Sequence, residues 1–179
     1  MLSTVFTSAR VFLAIVFLIA GIPKLAAGEE LSNTLRILGF ERPGIVLALR
    51  IGVPIAETVL GVWLLMGAYP IAAAFTGAAM LTIFAYVLVQ LRERGADGCA
   101  CFLWDDGSIG VGHVVRNLVL VTIAALIGIV TLFEWYTWEP VWRLHPQSAL
   151  VVAASVLFVF LIYALVTTSL HYARNVAVD

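Results

Sequence analysis

Two thiols one residue apart, Cys99-Ala100-Cys101, are the sharpest chemical feature of the sequence. At this spacing a disulfide closes a small, strained ring, and strained disulfides are the easily reduced ones. Such a bond closes almost no loop, so it removes little chain entropy and makes a poor structural staple. The pair therefore reads first as a redox couple. Two other readings fit the residue types. One is a pair of unrelated small residues at an interface. The other is metal ligation with His113 as third ligand, but that spacing matches no zinc signature, and no metal is expected.

The second feature is charge within apolar sequence. Lys24, Arg50, Glu57 and Arg116 lie in or at the ends of long hydrophobic runs. A charge at the centre of a spanning helix costs at least about 2.5–3.5 kcal/mol on insertion scales, so it usually has a partner or a task. With Arg50 at the interface, helical rise puts Glu57 about 10 Å deeper, and Arg116 about 9 Å inside the run that opens at Gly110. Similar depths let Glu57 pair with Arg116, while Lys24 can snorkel toward them or toward lipid headgroups. His113, one turn before Arg116, can join this cluster or simply satisfy an interfacial hydrogen bond. The same charges could also form an ion pair that only fixes helix packing. If thiols and charges share one site, Lys24 and Arg116 outnumber Glu57, and nearby cations lower a cysteine's pKa from about 8.5, favouring the attacking thiolate. An amphipathic pocket of this kind at the membrane surface would suit a quinone head group with its tail in lipid.

The elements that must hold these residues follow from length. A spanning helix needs about 20 apolar residues to cross roughly 30 Å of hydrocarbon. Five runs qualify, at about 5–25, 45–67, 71–91, 110–133 and 149–170. Each must be helical, because an isolated strand leaves its backbone groups unsatisfied in lipid. The expected fold is an all-α membrane bundle of about five transmembrane helices, forming a single integral membrane domain over 1–179. Between the runs lie a charged loop from Ala26 to Gly44, a tight turn at Gly67-Ala68-Tyr69-Pro70, and a polar loop over 92–109 that holds both cysteines. A further loop carries Trp135, Tyr136, Trp138 and Trp142, residue types of the interfacial aromatic belt. The first run resembles a signal peptide in outline, but Gly21-Ile22-Pro23-Lys24 is no cleavage site, so it is expected to be a retained helix.

Composition agrees with this class. Hydrophobic residues make up 63% and charged residues 12% of the 179, and mean hydropathy is +1.07. Intrinsic disorder needs the opposite balance, and a soluble domain needs about twice the charge. Lys and Arg total 10 against 11 Asp and Glu with no basic stripe, so nucleic acid is not an expected partner. With five crossings, Arg10 and Arg143 fall on the face opposite the cysteine loop and the other eight basic residues on or near it. The positive-inside rule then predicts a cytoplasmic cysteine loop.

The ordered residues also resemble a known group. Arg10-Val11-Phe12-Leu13 through Phe17, Ala20-Gly21 and Lys24-Leu25 resemble the opening of the MauE and DoxX families of small bacterial membrane proteins. Pro54-Ile55-Ala56-Glu57 with Leu60-Gly61 resembles their second helix, and Cys99-Ala100-Cys101-Phe102 followed by Arg116-Asn117-Leu118 resembles the MauE cysteine loop and its Arg-Asn pair. The resemblance spans about 10–125. It implies a four-helix DoxX-like core, plus a C-terminal helix, in the bacterial plasma membrane. It also implies thiol–disulfide handling during maturation of a redox enzyme such as methylamine dehydrogenase, beside a thioredoxin-like partner or a quinone. Carried over by residue, Cys99 and Cys101 become the redox pair and Lys24, Glu57 and Arg116 the membrane charges; Arg50, His113 and Asn117 are candidate accessory positions beside them. Ala100 and Leu103 stand where the family loop has glycines. The family's task concerns disulfides outside the cytoplasm, whereas the charge count points inward. A reading from a different class is a non-catalytic accessory subunit that stabilises a larger respiratory or redox complex, docking through the aromatic loop.

Overall fold

The computed structural model describes residues 2–26, 28–95, 111–134, 149–154 and 156–157, and all its regular structure is helical. The order is α1 (Leu2–Ala26), α2 (Gly28–Ile37), α3 (Pro43–Met66), α4 (Pro70–Glu93) and α5 (Val111–Glu134). Residues 149–154 and 156–157 are helical as well, and the remainder of the segment expected at 149–170 lies outside the described residues. Among the described residues, four helices, α1, α3, α4 and α5, are long and apolar enough to cross a membrane.

Each long helix buries one stripe. In α3 it runs through Val46, Pro54, Glu57, Leu60, Gly61 and Leu64; in α4 through Ala74, Gly77, Leu81, Ala85, Leu88 and Leu91. These spacings of three and four residues are one face of a 3.6-residue helix. Phe17, Leu60, Ala73, Leu81, Ala124 and Ile127, drawn from all four long helices, belong to one continuous core. The outer faces are apolar too: Leu47, Ile51, Ile55, Val59, Val62 and Met66 form an exposed hydrophobic stripe along α3. A water-exposed surface would not carry such a stripe, whereas lipid favours it.

Small residues set the closest approaches. A Cβ on Gly21 of α1 would lie 2.7 Å from Thr58 Oγ1 and 2.9 Å from the Pro54 carbonyl of α3. One on Gly61 would lie 2.8 Å from Leu18 Cγ and 3.0 Å from the Ala14 carbonyl. These contacts define an antiparallel register in which α1 leaves the bundle near residue 52 of α3. On the other side, Gly128 of α5 packs against Ala74 and Phe75 of α4.

The connection between α3 and α4 is the tight turn read from Gly67-Ala68-Tyr69-Pro70. Gly67 is left-handed (φ 69°), Tyr69 follows in the same region (φ 47°), and Pro70 opens α4, a position where its missing N–H costs nothing. The Trp63 indole N–H donates to the Ala68 carbonyl at 2.6 Å across this turn.

One connection departs from expectation. The charged stretch Ala26–Gly44, read as a loop, contains the helix α2. Its Leu31 and Leu35, four residues apart, are buried against Val46 of α3, with Leu49 packed beside them. The helix ends in a Schellman motif: Gly39 adopts φ 92°, its N–H donates to the Arg36 carbonyl (2.9 Å), and the Phe40 N–H donates to the Leu35 carbonyl (3.1 Å). Arg94, just after α4, donates to the Ile37 carbonyl at 2.6 Å, satisfying another group that the helix end leaves free. Charged residues had masked this amphipathic pattern in a chain where the other segments are almost wholly apolar.

Candidate functional site

The site begins with a carboxylate on a buried stripe. Glu57 falls in the same stripe of α3 as Pro54 and Leu60, so helix geometry alone directs it into the bundle, where it is fully buried. Gly21 admits it: with no side chain there, α3 lies directly against α1. One turn after Gly21, Lys24 donates to both carboxylate oxygens of Glu57, at 2.7 and 3.1 Å. The pair is nearly sealed, with side chains 10% and 1% exposed. The ammonium also sits 5.4 Å from the centre of the Phe84 ring of α4, within the range of a cation–π contact. One lysine thus links three helices.

Two prolines flank this pair. Pro54 and Pro23 lie inside α3 and α1, where each removes a ladder hydrogen bond. The Pro54 carbonyl accepts a hydrogen bond from Thr58 Oγ1 at 2.8 Å.

On the far side of Glu57 is a narrow recess of about 20 Å³ where all four long helices meet. Its lining includes Phe17, Ala20, Glu57, Phe84, Arg116 and Asn117. That space holds about one water molecule and is too small for a quinone ring. Asn117 is buried at 6% exposure, and Arg116 is half-buried and engaged in contacts of its own. The sequence matched Glu57 with Arg116 by depth and let Lys24 snorkel toward them; in the structure Lys24 makes the contact, and Arg116 shares the recess from α5.

The other named residues divide. Arg50 is half-buried but lines a different cavity, between α2 and α3. His113, near the start of α5, is half-buried and has a partner. Cys99 and Cys101 lie outside the described residues. Among the described residues, no group of three His, Cys, Asp or Glu could hold a metal ion. Sequence reasoning passed over Phe84 and met Gly21 only within a resemblance, without a packing role; both roles depend on which helix faces them. It also treated Arg10 as a flanking charge, whereas Arg10 is 2% exposed within α1. Its position on the buried stripe with Leu13, Ala14 and Phe17 was the available signal.

Four membrane-length helices closed around a buried ion pair and a polar recess define a multi-pass membrane protein with an intramembrane charge site. The family described as methylamine utilisation protein MauE matches residues 2–132. The chain belongs to the MauE family, and the matched region takes in every helix from α1 through nearly all of α5. Comparison with curated proteins and with solved structures gave no match.

Proposed function

We propose that this MauE-family protein is a thiol–disulfide redox protein of the bacterial plasma membrane that serves methylamine utilisation by helping to mature a disulfide-containing redox enzyme. Cys99 and Cys101 exchange electrons with a thioredoxin-like partner, a membrane quinone, or both. The observation that supports this most is topological. The segment carrying both thiols joins Gly95, after α4, to Val111, the first residue of α5. Those two helix ends share one end of the bundle with the Lys24 end of α1, and Arg116 lies five residues into α5.

The thiolate of one cysteine attacks a partner disulfide, forming a mixed disulfide and releasing one partner thiolate. The second cysteine then attacks the mixed disulfide, releasing the other partner sulfur and leaving Cys99 and Cys101 oxidised. Two electrons have passed to the partner; run backwards, the same steps oxidise a partner dithiol. A quinone that oxidises the pair takes two electrons and two protons to become a quinol, its ring docking beside the cysteine segment rather than within the water-sized recess. Arg116 contributes positive potential that favours the thiolate, while the Lys24 charge is largely balanced by Glu57.

The test is a thiol mass tag on cells expressing the wild type and the Cys99→Ser and Cys101→Ser variants. Wild-type chain is expected in both oxidation states, and one single-cysteine variant should accumulate a mixed disulfide with its partner. Thiols that stay reduced and unreactive would overturn this reading and leave an accessory subunit of a larger redox complex. Thiol–quinone exchange that survives Cys101→Ser unchanged would remove the quinone.

A further inference from the structure

A second cavity, about 210 Å³, opens between α2 and α3 at the Lys24 end of the bundle. Arg36 from the last turn of α2 and Arg50 from α3 both line it, together with Ser32, Glu41, the buried Val46 and the exposed Leu47. Among the described residues, neither guanidinium nor the Glu41 carboxylate makes a hydrogen bond or ion pair. Two arginines and one carboxylate line this space, so it carries net positive charge. The charges of Arg36, Arg50 and Glu41 add to +1, which a single phosphodiester would neutralise.

The depth fits a lipid. Because Gly21 packs at the level of Pro54 and Thr58, α1 leaves the bundle near residue 52 of α3, and Arg50 stands about one half-turn beyond that level. The exposed apolar face of α3 begins at Leu47 on the rim of the cavity and continues through Ile51, Ile55 and Val59. A molecule with its phosphate between the two arginines would have an apolar track leading directly into the hydrocarbon. Arginine suits this task, because its planar fork matches phosphate oxygens and because it is weakly hydrated.

We propose that the α2–α3 crevice binds the phosphodiester headgroup of a phospholipid, with Arg36 and Arg50 holding the phosphate oxygens. Basic pockets at helix ends bind anionic lipid headgroups by the same physics. The headgroup seats α2 on the membrane surface and holds it against α3, independently of any redox chemistry.

Native mass spectrometry of the detergent-purified full chain tests this, with dioleoylphosphatidylglycerol, dioleoylphosphatidylethanolamine or inorganic phosphate added separately. One retained phospholipid per wild-type chain is expected. Retention should fall about tenfold in Arg36→Gln and further in Arg36→Gln/Arg50→Gln, and Arg36→Lys should lie between, since the charge remains but the fork is lost. Arg42→Gln, which changes an exposed arginine outside the lining, should bind as wild type. Arg36 is itself exposed, so its single variant tests the site even if the double variant fails to fold. Equal retention in Arg36→Gln, an equal loss in Arg42→Gln, or binding of inorganic phosphate without phospholipid would overturn the proposal.

Discussion

Lys24 and Glu57 form a pair whose two members are unequal in what their loss exposes. Removing one partner of a buried pair leaves a charge without compensation, which costs about 3–5 kcal/mol, whereas replacing both is often neutral. Lys24→Met is therefore expected to lower thermal stability in detergent strongly, and Lys24→Met/Glu57→Gln to recover most of the loss. A double variant no more stable than the single would show that the pair is not what Lys24 supplies. If the double variant is stable yet loses mixed-disulfide formation in cells, the charges serve the chemistry as well as the packing. Gly21 gives a second residue-scale expectation. Gly21→Ala puts a methyl 2.7 Å from Thr58 Oγ1 and 2.9 Å from Glu57 Cβ, an overpacking that costs about 1–3 kcal/mol. Gly52→Ala meets nothing within 4 Å and should unfold at or above the wild-type temperature. Glu57 was legible in the sequence because a carboxylate in an apolar run is anomalous in itself. Its partner was not: depth matched Glu57 with Arg116 and left Lys24 snorkelling from the helix end, and only the rotation and register of α1 against α3 bring Nζ to the carboxylate.

At the scale of elements, α2 is the instructive case. A helix of 10 residues is marginal alone, so its existence rests on Leu31 and Leu35 against α3 and on its capped end. Gly39→Val forces a branched side chain into φ 92° and should cost about 1–2 kcal/mol. Arg94→Ala removes the hydrogen bond to the Ile37 carbonyl, worth about 0.5–1.5 kcal/mol. Both substitutions should speed amide hydrogen exchange across 31–40 while leaving the interior of α5 unchanged; uniform acceleration would mean that α2 is not a separate unit. The long helices were legible because hydropathy accumulates residue by residue along a span, and the expected 45–67 and 71–91 coincide with α3 and α4 to within a few residues at each end. The short helix was not, because its evidence is two leucines whose burial depends on a neighbour far along the chain.

For the molecule as a whole, alternation of the spans makes a directional expectation. In a Cys99→Ser/Cys101→Ser background, Asn33→Cys in α2 and Tyr69→Cys in the α3–α4 turn should react with an impermeant maleimide from opposite sides of the membrane. Both positions are exposed, so accessibility to water does not decide the result. Labelling of both from one side would mean that α3 does not span. The positive-inside rule further predicts that Asn33→Cys is protected in intact cells. Labelling it from outside would reverse the orientation.

What the chain determined unaided was its class and its list of suspects. Apolar runs of membrane length, a missing half of the usual charge, and a few ionisable residues left in hydrocarbon are local properties, additive along the backbone, and they need no knowledge of neighbours. Tertiary structure decided the pairings. It chose Lys24 for Glu57, drew Phe84 over the ammonium, buried Arg10, and separated Arg50 from the recess into a crevice with Arg36. Each of these outcomes depends on how far two helices slide and turn before glycine meets backbone, and close packing between segments distant in sequence sets that register.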